Sequence, residues 1–456
     1  MNATQIRNVL PEPAWRQLES SLGMPALLVT PPRALDDIAA APSRLPANLL
    51  DQMTALLGGD QIRTSLAARA EHTRDLAAQL RLRQGDLGGV PDAVLRPRKE
   101  ADLLAILRLC ADAGIAVCPG PSDAAHVALD LSALDAMDGP DVLSGEVRAG
   151  GGLAVAELQS QLAERGLMLE GGDPGLTVAD WARGAARLRG IRLATPQGLL
   201  TVDDDPALAN IVAGFGVVAS ATLTIRRRPA GMESRAWRFA DFAAGLAALR
   251  EATRESIILL DPRLADQPQT QFFDSLQPEQ GWLSQFLARL RKQASDGAML
   301  SAQLTRGDQR RFKPIAARLG GRPVPVQKHM TAQALRAALL EHGAALDHIG
   351  MRASWAKLPA LYAAARAALE GAMVQQAPRE GARGLAFASL DEPDADGAYL
   401  TMTWIFARKL GDEAAQATAI RSHAVAAMVR EEEGLAEAVR TAIRNTLDPS
   451  GIVTPR

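Results

Sequence analysis

Three short stretches of the sequence combine small residues and arginines in a way that could hold an anionic ligand. One lies between Pro119 and His126, one is an arginine-containing stretch from 183 to 192, and one is a pair of glycines around residue 215. Glycine lets a backbone approach a ligand closely, and consecutive N–H groups can form an anion-binding nest. The candidate binding residues are Gly120, Ser122, Arg183, Gly214 and Gly216.

Each stretch also has a plainer explanation. Pro119 and Pro121 lack N–H donors and Asp123 would repel an anion, so we interpret the first stretch as a tight connection between two strands. The arginines are typical of a solvated surface, along which their long stems can pack. The two glycines are at least as typical of a packing turn.

Other kinds of chemistry have weaker support. His329, His342 and His348 do not have the spacing of a metal motif, so no metal site is predicted. Cys110 and Cys118 are too few for a disulfide framework and are interpreted as small buried residues. The sequence contains no nucleophile elbow, Walker loop or GxGxxG fingerprint. We therefore assign no catalytic residue from the sequence.

The composition limits the classes of partner. A chain of 456 residues with 22% charged residues and a net charge of −2 has no large basic field to attract nucleic acid or anionic membrane. The first residues lack the apolar core of a signal peptide, and no apolar run is long enough to cross a bilayer. We expect a cytoplasmic protein of two or three domains.

The pattern of apolar residues predicts the domains. Short helices are expected up to residue 89, a strand–helix–strand order that includes the helix Lys99–Ala113 indicates an α/β domain over 90–230, and a third region covers 231–456. In that region strands alternate with helices, which suggests an antiparallel sheet covered on one face. Its predicted helices are Trp282–Ser295, Ala332–His342, Pro359–Met373 and Glu413–Arg430, and its predicted strands are Ile257–Leu260, Met299–Leu304, Ala386–Leu390 and Tyr399–Ala407.

Several segments occur in an order that resembles a known family. They include the stretch from Leu80 to Asp112, Ala194-Thr-Pro-Gln-Gly198, Ala353 to Tyr362, and Leu447-Asp-Pro-Ser-Gly-Ile452. In this order they resemble the FAD-linked oxidases of the vanillyl-alcohol oxidase superfamily, and most closely the branch of alkylglycerone-phosphate synthase and its bacterial relatives. The resemblance implies an α+β fold: a two-subdomain FAD-binding domain of the p-cresol methylhydroxylase (PCMH) type, a cap domain with an antiparallel sheet, and an N-terminal helical segment.

The resemblance also implies that three segments would hold FAD, and all three depart from the family pattern. The loop from Pro119 to His126 is short and has one glycine instead of a run. In the second segment the family's glycine pair is Ala179-Asp180, and a turn that normally follows is missing. The third segment, Ala213–Val218, is shortened and lacks an acidic residue.

The family's catalytic groups are a tyrosine in a cap strand and a His-rich loop. Here no tyrosine follows Tyr399, the His-rich loop is missing, and His423 lies within a predicted helix. We therefore predict a non-catalytic member with an eroded flavin site, which would be a partner subunit of a paralogous flavoprotein, a homodimer, or a binder of an apolar, lipid-like ligand. The alternative is an active FAD-dependent enzyme with abbreviated loops, acting on a hydroxy acid or a lipid-phosphate substrate.

Overall fold

The structure is a computed structural model that describes residue 10 and the ranges 12–38, 43–73, 75–117, 126–184, 187–275, 296–326, 332–429 and 435–453. The chain forms two compact units. We call the first the large-sheet unit, formed by Met1–Pro31 and Pro229–Glu431, and the second the α/β unit, formed by Pro32–Arg228 and Glu432–Arg456.

The helices are, in chain order, α1 (Glu12–Ser21), α2 (Ala47–Leu57), α3 (Leu66–Glu71), α4 (Leu76–Arg83), α5 (Glu100–Ala113), α6 (Val155–Glu164), α7 (Val178–Ala182), α8 (Pro206–Val212), α9 (Phe242–Arg254), α10 (Gln267–Ser275), α11 (Arg306–Arg318), α12 (Ala332–Glu341), α13 (Leu358–Gln375), α14 (Glu413–Val429) and α15 (Leu435–Leu447). The strands are β1 (Ile62–Arg63), β2 (Ala93–Leu95), β3 (Ala116–Val117), β4 (His126–Leu129), β5 (Glu146–Gly150), β6 (Leu167–Leu169), β7 (Leu188–Thr195), β8 (Gly198–Val202), β9 (Val217–Arg227), β10 (Glu233–Phe239), β11 (Leu260–Ala265), β12 (Ala298–Leu304), β13 (Arg322–Val324), β14 (Ala344–Ser354), β15 (Leu385–Asp391) and β16 (Gly397–Ala407). None of the helices in the described ranges is long and apolar enough to cross a membrane.

The first sheet of the α/β unit has the strand order β1-β2-β4-β3. Strand β4 pairs in parallel with both β2 and β3, and α5 is the crossover helix that this arrangement requires. Helix α5 ends at Gly114, whose φ of 65° is the left-handed conformation that commonly terminates helices. At the edge of this sheet Val453 forms a parallel bridge with Val117. The segment that contains Val453 therefore covers the outer strand β3.

The second sheet of the α/β unit is antiparallel, with the order β5-β9-β7-β8 and β6 also paired to β9. Helices α6, α7 and α8 contribute to the core on this sheet, where Trp181 is 2% exposed. This sheet and α7 carry the second and third predicted flavin segments.

The large-sheet unit is built on a seven-stranded sheet with the order β13-β10-β12-β11-β15-β16-β14, antiparallel at every pair. Helix α1 packs here, because Leu10, Trp15 and Leu18 belong to one buried cluster with residues of α12 and β16. This is the antiparallel sheet that the sequence predicts for the third region.

The compact units divide the chain differently from the predicted domains. The compact unit of the large sheet extends to Pro31, and Leu10, Trp15, Leu18 and Leu22 are buried there. The final residues from Glu432 belong with the α/β unit, where Ile452 and Val453 enter the core. The predicted strand Ile257–Leu260 is wrong for 257–259, because β11 begins at Leu260. The predicted helix Trp282–Ser295 lies outside the described residues.

Candidate functional site

The second predicted flavin segment forms helix α7, whose N–H groups are already bonded within the protein. Val178 N–H donates to the Leu153 carbonyl at 2.8 Å and Ala179 N–H to the Gly151 carbonyl at 2.9 Å. Asp180 N–H donates to Thr177 Oγ1 at 3.2 Å. These are the donors that a helix start would otherwise turn toward an anion. They are therefore not available to a pyrophosphate without breaking the local structure.

The end of β5 contacts both α7 and β9 at close range. Gly151 N–H donates to the Ala219 carbonyl at 2.8 Å. A β-carbon added to Gly151 would lie 2.1 Å from the Val218 carbonyl oxygen and 3.3 Å from Ala179 Cβ. Glycine is required here because backbone of the same chain, and not a ligand, fills the space.

Arg183 and Gly216, two of the predicted binding residues, lie together. Arg183 Nη2 donates to the Gly216 carbonyl at 2.8 Å. A β-carbon on Gly216 would lie 2.7 Å from Leu193 Cγ, so this glycine serves the packing of β7. Gly214 differs, because a β-carbon there would have no atom within 4 Å. At Gly216 the third segment is thus a packing turn, whereas the space beside the Gly214 backbone is unfilled.

Each of the other arginines of the 183–192 stretch lies beside a different carboxylate of the same chain. Arg187 lies 3.7 Å from Glu170, Arg189 lies 2.9 Å from Glu146, and Arg192 donates to both carboxylate oxygens of Glu100. The sequence predicts either an anionic ligand or a solvated surface for these arginines. The structure pairs each of them with an acidic side chain.

The first predicted segment, with Gly120 and Ser122, lies outside the described residues. The strand that follows it is described, and Asp92, which precedes β2, contacts the start of that strand at His126. Asp92 is fully buried, and its carboxylate accepts from Arg44 Nε at 3.1 Å, Arg44 Nη2 at 2.9 Å and the His126 N–H at 3.1 Å. Burial opposes ionisation, but these hydrogen bonds outweigh it and lower the pKa of Asp92 below its ordinary value.

The histidines of the large-sheet unit that the structure describes are not gathered into a metal site. His342 is buried, with Nδ1 at 3.0 Å from the Ala338 carbonyl and its ring 4.5 Å from that of Trp15. His423 is exposed on α14 and its Nδ1 lies 2.9 Å from the Ala419 carbonyl. The ring of Tyr399 lies over Gly350 on the neighbouring strand. Within the described ranges no three His, Cys, Asp or Glu side chains are placed to hold a metal ion.

One buried ionisable cluster in this unit was not predicted from the sequence. Asp266 is completely buried at the start of α10 and accepts from the Gln269 N–H at 3.0 Å, from Arg366 Nη1 at 3.0 Å and from the Tyr362 hydroxyl at 3.4 Å. Tyr362 in turn stacks on Phe242 at 4.4 Å. Burial raises the pKa of Asp266 to about 6, despite the opposing effect of these donors. Only the proximity of α10 and α13 creates this cluster, and no local pattern reveals it.

The raised pKa of Asp266 predicts a specific pH dependence of stability. The folded protein keeps the proton up to about pH 6, whereas the unfolded chain loses it near the ordinary value of about 4. The contribution of Asp266 to the free energy of unfolding should therefore fall by about 3 kcal/mol as the pH rises from 4 to 6, and stay constant above that range. Urea unfolding of the wild type and Asp266→Asn at several pH values would measure this as a shrinking difference. Tyr362→Phe, which keeps the carboxyl, should retain the slope, and an identical slope in Asp266→Asn would contradict the assignment.

The described part of the second predicted segment does not fit the pyrophosphate of FAD. A pyrophosphate needs convergent N–H donors, and those at the start of α7 are bonded to Gly151, Leu153 and Thr177. Asp180 adds a negative charge at the same place, where it interacts favourably with the helix and would repel phosphate.

Comparisons with known proteins identify the fold. No family model matches the chain. The alkyldihydroxyacetonephosphate synthase of Trypanosoma brucei brucei is 25% identical over 286 residues, which cover 53% of this chain and about half, 46%, of that protein. A solved alkyldihydroxyacetonephosphate synthase superposes with a TM-score of 0.73 at 18% identity, covering 98% of this chain and 92% of that one. A p-cresol methylhydroxylase with bound substrate superposes with a TM-score of 0.65 at 13% identity, covering 91% and 98%.

These comparisons confirm two predictions from the sequence. The chain has the α+β fold of the PCMH type, and its resemblance to alkylglycerone-phosphate synthase holds for both the sequence and the structure. The likeness to solved structures concerns the fold, since the identities are below those at which a shared activity can be inferred.

Proposed function

Because the chain has the fold of the FAD-linked oxidases, we propose that it is a non-catalytic protein of that fold, which has lost the flavin and acts as the partner subunit of another protein. The observation that carries this proposal is the commitment of all four arginines of the 183–192 stretch. They bind the Gly216 carbonyl, Glu170, Glu146 and Glu100. A basic stretch that neutralised a bound diphosphate would leave its charges free for the ligand.

The pattern of change in the sequence supports the same proposal. The departures from the family lie in the flavin segments and the catalytic loop, whereas both sheets of the α/β unit and the large sheet have buried apolar cores. The apolar cores that stabilise the fold have therefore been kept, whereas the segments that would carry the chemistry have changed. A protein that keeps its fold but binds no cofactor would act by binding other molecules, which favours a protein partner.

The first test is the visible absorption spectrum of the purified full-length chain. We expect a colourless protein that takes up no added FAD, even at concentrations well above those that FAD-linked oxidases need. A solved relative with this fold, purified in the same buffers, is the control that bound flavin survives the procedure. A stoichiometric flavin that a hydroxy acid or a lipid-phosphate substrate reduces would overturn the proposal.

The partner is tested separately, by affinity capture with the full-length chain from its own cells. We expect a protein with a complete set of flavin segments to be enriched, and to recover this chain when it is itself used as bait. A chain that behaves as a lone monomer and recovers no such protein in either direction would contradict the subunit role.

A further inference from the structure

We infer that the second and third of the segments which hold flavin in this fold have become a structural joint in this chain, closed by Arg183. The inference deepens the proposed function and rests on it, because it states what the former ligand segments now do. The joint consists of Gly151, which follows β5, of helix α7, and of the residues from Gly216 to Ala219 at the start of β9. It lies entirely within the α/β unit.

The hydrogen bonds of the joint run in a closed circuit. Helix α7 begins with Ala179 N–H bonded to the Gly151 carbonyl at 2.9 Å, and Gly151 N–H is bonded to the Ala219 carbonyl of β9 at 2.8 Å. Just after the helix ends, Arg183 Nη2 returns to β9 and donates to the Gly216 carbonyl at 2.8 Å. Both ends of a five-residue helix are thus fastened to neighbouring strands.

Side chains fill the space inside the circuit. Ala179 is 4% exposed, and its methyl group faces Gly151 at close range. Trp181, on the same helix, is 2% exposed in the core of the second sheet. A glycine at position 179 would lack this methyl group and the apolar contact that it makes.

The charges of the joint compensate one another. Asp180, in the first turn of α7, places a negative charge beside the positive end of the helix. Arg183, just after the last turn, places a positive charge where the helix end is negative. The charges of Asp180 and Arg183 therefore stabilise the two ends of the helix without a bound ligand.

Hydrogen–deuterium exchange on the full-length wild type tests this directly. Peptides that contain the amides of Gly151 and Ala179 should be protected without any ligand, and added FAD should not change their exchange. Exchange that is fast without FAD and slows on its addition would overturn the inference. A chain that bound FAD in this way but reduced it with no substrate would contradict the joint and the loss of the flavin, and would leave only the non-catalytic part of the proposed function standing.

A pair of arginine variants tests the role of Arg183. Arg183→Met should lower the thermal unfolding midpoint by about 2–4 °C and raise exchange at Ala179, because it removes the bond to the Gly216 carbonyl. The matched control is Arg189→Met, since Arg189 belongs to the same stretch but forms an exposed pair with Glu146 and should shift the midpoint by less than about 1 °C. If Arg183→Met does not fold, the exchange of the wild type decides the question. Equal, negligible shifts in both variants would refute the joint.

Discussion

Replacing Asp92 with alanine is expected to lower the free energy of unfolding of the α/β unit by about 3–5 kcal/mol. The carboxylate is fully buried and accepts hydrogen bonds from the Arg44 backbone N–H, from Arg44 Nε and Nη2, and from the His126 N–H. Its removal would also leave the buried Arg69 without the negative charge that favours its ionised form. Chemical denaturation followed by tryptophan fluorescence would measure the loss.

The control for this prediction is an ion pair on the surface of the same unit. Asp60 pairs with Arg98, and both side chains are more than half exposed. Asp60→Ala should cost less than about 1 kcal/mol, because water screens exposed charges and solvates the partner left behind. A cost for Asp92→Ala as small as that of the control would mean that the buried carboxylate does not hold the strands together.

The parts of the fold that sequence reasoning located are those with an uninterrupted apolar period. The predicted helix Pro359–Met373 corresponds to α13, and the predicted strand Met299–Leu304 to β12, since burial follows one face or one stripe there. Strand β14 was missed because Asp347 and Arg352 interrupt its apolar alternation. Asp347 is buried and is paired with Arg336 and Arg421, which reach it from other elements.

Helix α11 was missed for a related reason. Its sequence is strongly polar and contains Pro314, which argues against a helix locally. The helix is fixed instead by Thr305, whose hydroxyl accepts the Asp308 N–H at its start, and by Phe312, which is buried.

The candidate site, too, could be predicted only in part from the sequence. Residue types identified Arg183 and Gly216 as unusual, but only the fold brings one to the other. The pairing of Arg192 with Glu100 joins residues far apart in the sequence, so a charge count could not separate a ligand site from an internal ion pair. A short motif shows which chemical groups a segment contains. Only the three-dimensional structure shows whether those groups are already bonded within the protein or can bind a ligand.

The second large effect is expected at Asp448, in the Leu447-Asp-Pro-Ser-Gly-Ile452 segment that resembles a family motif. Asp448 is 3% exposed, and its carboxylate accepts the N–H groups of Ile452 at 3.1 Å and Val453 at 2.7 Å. This turn directs Ile452 to accept the Val117 N–H at the sheet edge and buries both apolar side chains. Asp448→Ala should therefore cost about 3 kcal/mol of stability, since it leaves two buried donors unsatisfied.

The effect of Asp448 should also be local in a way that identifies its cause. In Asp448→Ala the amides of Val117 and Val453 should lose their protection from hydrogen exchange before the rest of the sheet does, because the edge strand is released first. Ser450→Ala removes only the hydroxyl donor at 3.1 Å from the same carboxylate, and should cost about 0.5–1 kcal/mol without exposing the edge. If the amides of Val117 and Val453 stay protected in Asp448→Ala, the burial of the Ile452 side chain is sufficient to hold this segment at the sheet edge. The motif would then contribute to the apolar core of the α/β unit, and the hydrogen bonds of Asp448 would not be needed.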